Sequence, residues 1–260
     1  MLLCASILLI ANTIPKAEAQ TPTLNYKVLL DLPHRPYKFT QGLDSDGEHL
    51  IESSGLYGKS FVHRYHKLSG DVLHRFSLPR RQFAEGLVRL GDSVFLLTWK
   101  AGLAYRLSAH DLRPQGSYRF RGEGWGLAKW KHLLVMSDGS SQLQLRSSQN
   151  FQLQEKITVF EDGREVHQLN DLTVGLDVIW ANVWHQTYIL AIAPESGRVI
   201  ARLELDELAQ RQLSNNPEHV LNGLAWDPEQ NALWVTGKGW NRRYLLQLDP
   251  LPVSQRRQTN

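Results

Sequence analysis

Gln41-Gly42-Leu43, Glu85-Gly86-Leu87, Trp125-Gly126-Leu127, Asn170-Asp171-Leu172 and Asn222-Gly223-Leu224 are five copies of one short pattern. Each has a polar or aromatic residue, then Gly in four of the copies, then a Leu that opens a strand-like run. The repeated Leu advances by 44, 40, 45 and 52 residues. A period of roughly 40 to 50 residues is that of a β-propeller blade. Equivalent strands would bring Gln41, Glu85, Trp125, Asn170 and Asn222 together around one axis. Four of these carry polar groups, and that marks a candidate site.

After each copy the chain reads strand, turn, strand, with Gly, Asn, Asp and Ser between short alternating runs. The first blade takes Phe39–Leu43, His49–Ser53, Phe61–His66 and Val72–Leu78. The second takes Glu85–Leu90, Val94–Trp99, Leu103–Leu107 and Gly116–Phe120. The third takes Trp125–Trp130, His132–Ser137, Gln142–Arg146 and Leu153–Phe160. The fourth takes Asn170–Val174, Val178–Trp184, Tyr188–Ile192 and Val199–Leu205. The fifth has only Asn222–Trp226, Ala232–Thr236 and Arg243–Asp249 before the chain runs out. Its fourth strand has a donor in Tyr26–Leu32, which precedes the first copy. The expected fold is therefore all-β, a five-bladed propeller closed by the N-terminal strand in the last blade, since closure removes an open edge. The long fourth interval is explained by a short helix within Leu205–Leu213, inserted between blades four and five and stopped by Asn215-Asn216-Pro217.

The 260 residues suit one large domain, and 42% apolar content supports a packed core. Net charge is +3, and no basic stripe interleaves with aromatics, which argues against nucleic acid. Leu2–Ala11 is an apolar run too short to span a bilayer, and Ala17-Glu18-Ala19 is a small-x-small cleavage site before Gln20. Residues 1–19 thus read as a signal peptide and 20–260 as a single propeller domain, exported to the periplasm or the extracellular space. The one cysteine, Cys4, lies in that leader, so the mature chain offers no disulfide or thiolate.

Innermost strands line a propeller's channel, and Gly after each channel residue lets backbones crowd there. The ends of the second strands add Trp99, Trp184 and Lys238. Glu85, Gln41, Asn170, Asn222, Lys238 and the indoles of Trp99, Trp125 and Trp184 then form an apolar-walled pocket with few polar groups. A carboxylate against indoles is desolvated, which moves its pKa toward the range useful for proton transfer. The plainer readings are packing for the tryptophans (Trp130, Trp180, Trp226 and Trp234 above all), backbone satisfaction for Gln41 and Asn222, and a structural ion pair between Glu85 and Lys238. Gly122-Glu123-Gly124-Trp125-Gly126 has no strand–loop–helix context and is not a dinucleotide loop. The histidines show no metal-ligand spacing, so neither a metal nor a cofactor is expected.

Phe39-Thr40-Gln41-Gly42-Leu43, Glu52-Ser53-Ser54-Gly55-Leu56-Tyr57-Gly58, Phe83-Ala84-Glu85-Gly86-Leu87 and Gly124-Trp125-Gly126-Leu127-Ala128 occur in order. Ser137-Asp138-Gly139, Leu169-Asn170-Asp171-Leu172, Trp180-Ala181-Asn182-Val183-Trp184, Leu221-Asn222-Gly223-Leu224-Ala225-Trp226-Asp227 and Val235-Thr236-Gly237-Lys238 follow. Over about residues 26–250 this series resembles the plant and bacterial glutamine cyclotransferase family. The resemblance implies a five-bladed propeller that converts N-terminal glutamine of peptides or proteins to pyroglutamate and releases ammonia, without a metal. It puts the proton-transfer glutamate at Glu85 and the polar stabilisers at Asn170 and Lys238. Phe39, Gln41, Phe83, Trp99, Trp125 and Trp184 fall on its substrate-pocket positions. Ala84, Asp171 and Thr173 depart from the family's usual Gly, Glu and acidic residue.

The implied chemistry is intramolecular, so positioning within the aromatic walls suffices and no nucleophilic side chain is needed. A non-catalytic propeller that binds exported peptides or proteins is the alternative. A glycoside-active propeller would need two opposed carboxylates, whereas Glu85 is the sole acid among the five channel-strand positions. The expected partners are N-terminal-Gln substrates, and the protein is expected to act as a monomer.

Overall fold

A computed structural model describes residues 20–35, 38–212 and 214–252; the expected leader at 1–19 lies outside the described residues. Blade one consists of Thr40–Asp46, His49–Ser54, Phe61–His66 and Val72–Ser77. Blade two consists of Ala84–Leu90, Ser93–Thr98, Leu103–Ser108 and Pro114–Arg119. Blade three consists of Leu127–Trp130, Leu133–Met136, Gln142–Ser147 and Leu153–Thr158. Blade four consists of Leu169–Gly175, Val178–Val183, Tyr188–Ile192 and Val199–Glu204. Blade five joins Leu221–Asp227, Ala232–Gly237 and Arg242–Leu248 to the N-terminal strand Tyr26–Pro33.

That last pairing is antiparallel, from Tyr26 opposite Leu248 to Pro33 opposite Arg242. It closes the ring as the strand count requires. A second closure was not legible beforehand. Thr23–Leu24 adds a parallel fifth strand to the outer edge of blade four. The N-terminal segment therefore fastens two neighbouring blades.

Burial follows position in the blade. The second strands Ser93–Thr98, Val178–Val183 and Ala232–Gly237 are buried throughout, because both faces meet a neighbouring blade. The outer strand Tyr26–Pro33 alternates between half-buried and exposed residues, as a one-sided strand does. Five apolar clusters fill the five blade–blade junctions, with Trp180 and Trp234 wholly buried among them. Trp240, which the sequence did not single out, is buried at the junction of blades four and five.

Most strand ends shift by one to three residues from the sequence expectation, and three differences change the local structure. Blade three's innermost strand starts at Leu127, so Trp125 precedes it. Its outer strand stops at Thr158, and Phe160–Glu161 turns back onto Arg164–Glu165. The turn is Asp162-Gly163, both at positive φ, the dipeptide favoured for tight hairpins. The helix covers only Asp206–Gln210, with Leu208 facing the core.

A buried carboxylate organises blade one. Glu52 is fully buried, and four side chains converge on it. His34 Nε2 lies 3.0 Å and the Thr40 hydroxyl 2.7 Å from one oxygen; Lys38 Nζ lies 2.9 Å and His63 Nε2 3.2 Å from the other. Burial pushes the Glu52 pKa up, but the Lys38 ammonium, His34 and the histidine hydrogen bonds outweigh it and hold the carboxyl well below its usual range. Burial drives the His63 pKa down to about 4, with the Glu52 hydrogen bond opposing only in part.

An unfolded histidine protonates near pH ~6.5, whereas folded His63 resists until about pH 4. The unfolded chain therefore binds more protons in that window. The stability supplied by neutral His63 is whole above about pH 6.5 and is lost as pH falls toward 4, on the order of 3 kcal/mol at most. Urea midpoints measured across that window should fall on acidification. His63→Asn, which does not titrate, should flatten the slope.

Candidate active site

The repeat residues meet at the axis through a common device. In blades one, two, four and five the inner strand slips register at the motif, between Thr40 and Gly42, Ala84 and Leu87, Leu169 and Leu172, and Leu221 and Leu224. A bulge re-aims the side chain it carries. Here it carries Gln41, Glu85, Asn170 and Asn222, all buried. In blade three the same job falls to a non-strand segment, where Ser137 accepts the Trp125 N–H at its carbonyl (3.0 Å) and the Gly126 N–H at its hydroxyl (2.7 Å).

Second strands hold the motif of the next blade. The Ser53 hydroxyl donates to the Glu85 carbonyl and the Ser137 hydroxyl to the Asn170 carbonyl, each at 2.6 Å. The Asn182 side chain accepts the Gly223 N–H at 3.1 Å. The glycines permit this crowding. A Cβ on Gly42 would stand 2.6 Å from Leu87 N, and one on Gly86 would stand 2.5 Å from the Trp125 carbonyl oxygen. One on Gly126 would fall on the Asn170 carbonyl oxygen.

Blade four breaks the pattern with Asp171. Its carboxylate is buried in the channel and accepts the backbone N–H of Leu224 at 2.8 Å and of Leu43 at 3.3 Å. It thus joins blades four, five and one across the axis. Burial raises its pKa well above the usual carboxylate range, with the Leu224, Leu172 and Leu43 N–H groups opposing. Asn222 donates to the carbonyls of Thr40 and Gln41 at 2.9 and 3.2 Å. The plainer reading, satisfying neighbouring backbone, is what its geometry shows.

Above the channel mouth the aromatic residues form a nearly continuous wall. Phe39 meets Phe83 edge to face at 6.3 Å, and Phe83 meets Trp99 at 5.6 Å. Trp125 meets Trp184 at 5.6 Å and 90°. Glu123 bridges the gap between the halves, accepting the indole N–H of Trp99 at 2.6 Å and of Trp125 at 3.0 Å on one oxygen. Lys238 closes the other gap, its Nζ 5.3 Å from the Phe39 ring centre and 5.8 Å from that of Trp184. These contacts link Phe39, Phe83, Trp99, Trp125, Trp184 and Lys238, while Glu85, Gln41 and Asn170 are buried on the inner strands.

Glu85 and Lys238 are not a contact ion pair; no bridge within bonding reach joins them among the described residues. Each is nearly wholly buried. Burial raises the Glu85 pKa well above the usual range; the Lys238 charge opposes, and Asp171 and Glu123 add to the rise. Burial lowers the Lys238 pKa, with Glu85, Glu218 and Asp171 opposing. Gln41 Oε1, Asn170 Oδ1 and Trp184 Nε1 are buried polar atoms without a protein partner. Unpaired polar atoms are rare in packed interiors and frequent where a ligand completes them.

Two pocket residues escaped the sequence reading. Glu123 sits two places before Trp125 in a glycine-rich turn, and only its acidity beside a pocket tryptophan could have flagged it. Tyr57, 52% exposed, stands 5.4 Å from Phe83 and 6.4 Å from Trp99 and extends the wall outward. Its flanking Gly55 and Gly58 were visible, but not the direction of its ring. Lys238 is held by the Glu52 cluster from behind: Gly239 donates to the Lys38 carbonyl at 2.8 Å, and the Trp240 carbonyl lies 2.9 Å from His34 Nδ1.

The model of the glutamine cyclotransferase family matches residues 1–248. A glutaminyl-peptide cyclotransferase of Arabidopsis thaliana is 35% identical over 226 residues, which cover 85% of this chain and 71% of the relative. The crystal structure of Myxococcus xanthus glutaminyl cyclase superposes with a TM-score of 0.82 at 31% identity, covering 90% of this chain and all of the other.

Crowding at the axis makes a sharp expectation. Gly126→Ala must part blades three and four where Asn170 is carried, and should lower stability by about 3 kcal/mol in urea denaturation. Gly91→Ala, with nothing near the new methyl but a φ of +58°, should lose only about 1 kcal/mol.

Proposed function

The chain belongs to the glutamine cyclotransferase family, and we propose that it is a glutaminyl-peptide cyclotransferase in which Glu85, Asn170 and Lys238 carry the chemistry. The observation that carries this reading is Glu85: a buried carboxylate whose pKa is pushed up by burial, facing an aromatic pocket with a lysine near but not bonded to it. The substrate's α-amine attacks the γ-carbonyl carbon of its own side chain. A C–N bond forms, the carbonyl becomes an oxyanion, and the C–N bond to the side-chain nitrogen then breaks to release ammonia. Both reacting groups belong to one residue, so holding it folded supplies much of the acceleration, and well-oriented intramolecular reactions gain up to about 7–11 kcal/mol. Phe39, Phe83, Trp99, Trp125 and Trp184 supply that confinement, and Gln41 contributes an open acceptor.

Glu85 takes the proton from the attacking amine and returns it to the leaving nitrogen. The raised pKa strengthens Glu85 as the base that accepts the proton. Lys238 and the Asn170 amide stabilise the oxyanion. No cofactor takes part. The apolar run Leu2–Ala11 and the small-x-small site before Gln20 support export after removal of residues 1–19, with residues 20–260 acting as one domain and as a monomer. Among the described residues no helix is long and apolar enough to cross a membrane.

Incubating a Gln-initiated peptide with the mature protein and a chelator should release ammonia, with loss of one NH₃ from the peptide mass. Glu85→Gln should lower kcat by about 100- to 10,000-fold. Binding of the peptide with no ammonia above the spontaneous rate would point instead to a non-catalytic peptide-binding propeller.

The lysine makes a separate test. Glu85 works as a base only when ionised, so activity falls as pH drops through its raised pKa. The positive charge of Lys238 opposes that rise. Lys238→Met should therefore move the acid limb of the kcat profile to higher pH, besides lowering its plateau. An unmoved limb would separate Lys238 from Glu85.

A further inference from the structure

We propose that Gln20 of this chain is itself a substrate of the enzyme, cyclised to pyroglutamate by a second copy of the protein. The inference rests on the proposed activity and on removal of the leader after Ala19. That cleavage leaves glutamine, the one residue whose side chain reacts in this way, as the new N-terminus. Gln20 is exposed and lies in no strand. Fixed structure begins at the next residue, where the Thr21 N–H and hydroxyl donate to Asp162 at 3.0 and 2.9 Å. The Pro22 carbonyl then accepts the Arg202 N–H at 2.9 Å, and Thr23–Leu24 pairs with blade four.

The same contacts forbid reaction within one molecule. Thr23–Leu24 is the outermost of five strands, four spacings from the innermost strand of blade four. At about 4.8 Å per spacing this edge lies ~19 Å from the axis-lining strand. One free residue ahead of Thr21 reaches about 3.6 Å. A docked Gln20 therefore stays far from its own Glu85, while it projects into solvent where another copy's pocket accepts it. The α-nitrogen of Gln20 bonds to its own side-chain carbonyl carbon, the bond from that carbon to the amide nitrogen breaks, and ammonia leaves. The product has no α-ammonium, so the mature chain loses one positive charge and a free N-terminus.

The test uses the full protein, exported through its own leader, as wild type and as Glu85→Gln. Mass spectrometry of the N-terminal peptide should find pyroglutamate at position 20 in the wild type and intact Gln20 in Glu85→Gln. Adding a trace of wild type to the Glu85→Gln protein should convert its N-terminus at a rate proportional to the wild type added. Intact Gln20 in the wild type, a mature N-terminus at another residue, or equal cyclisation of Glu85→Gln alone would overturn the inference. Turnover of a Gln-initiated peptide by the same wild-type sample separates the two readings. If the peptide reacts and Gln20 does not, only this inference falls; if neither reacts, the proposed activity falls with it.

Discussion

The centre of this protein is governed by how closely five inner strands approach one axis. A methyl group at Gly42, Gly86 or Gly126 would collide with the backbone of the next blade. Those glycines let the backbones of neighbouring blades approach at the axis, and register slips in blades one, two, four and five re-aim the residues carried there. The grouping of the inner-strand residues is thus a by-product of ring closure. Blade four departs from glycine, and there the extra atoms are used: the Asp171 carboxylate accepts backbone N–H groups from blades five and one. Burial there favours the neutral form of Asp171, and the Leu224 and Leu43 N–H groups supply partners for one of its oxygens.

Two buried carboxylates show how surroundings, not residue type, decide chemistry. Glu52 and Glu85 both lie out of water, in blades one and two. Four side-chain donors converge on Glu52, and its pKa drops well below the usual range. Glu85 has burial and a lysine at a distance, and its pKa rises. The first carboxylate stays ionised and ties the chain around Phe39 and Gln41 to the loop bearing Lys238. The second has no bonded donor to hold its charge, and burial favours its protonated form. Satisfying Glu85 as Glu52 is satisfied would make it as inert.

The N-terminal segment links architecture to the proposed chemistry. Tyr26–Pro33 completes blade five and Thr23–Leu24 extends blade four, so closure depends on residues that directly follow the expected leader. The first residue after that leader is the one left free. Fastening the ring and presenting Gln20 are therefore consequences of one stretch of chain.

The repeat and its spacing determine the five blades, the closing strand and the inserted helix, because a blade has a fixed length and alternation betrays each strand. They also determine which five residues face the axis, and the ordered motifs name the family. Sequence alone does not determine where a side chain points once local patterning ends. Glu123 reads as one acid in a glycine-rich turn; only folding brings the indoles of Trp99 and Trp125 onto one of its oxygens. The two-residue strand Thr23–Leu24 and the Asp162-Gly163 hairpin are too short to show a period. Whether Glu85 and Lys238 touch, and what each buried carboxylate finds around it, depends on distances across blades far apart in the chain. Period and composition are local properties and survive in one dimension; burial and electrostatic compensation arise only from contacts made in three.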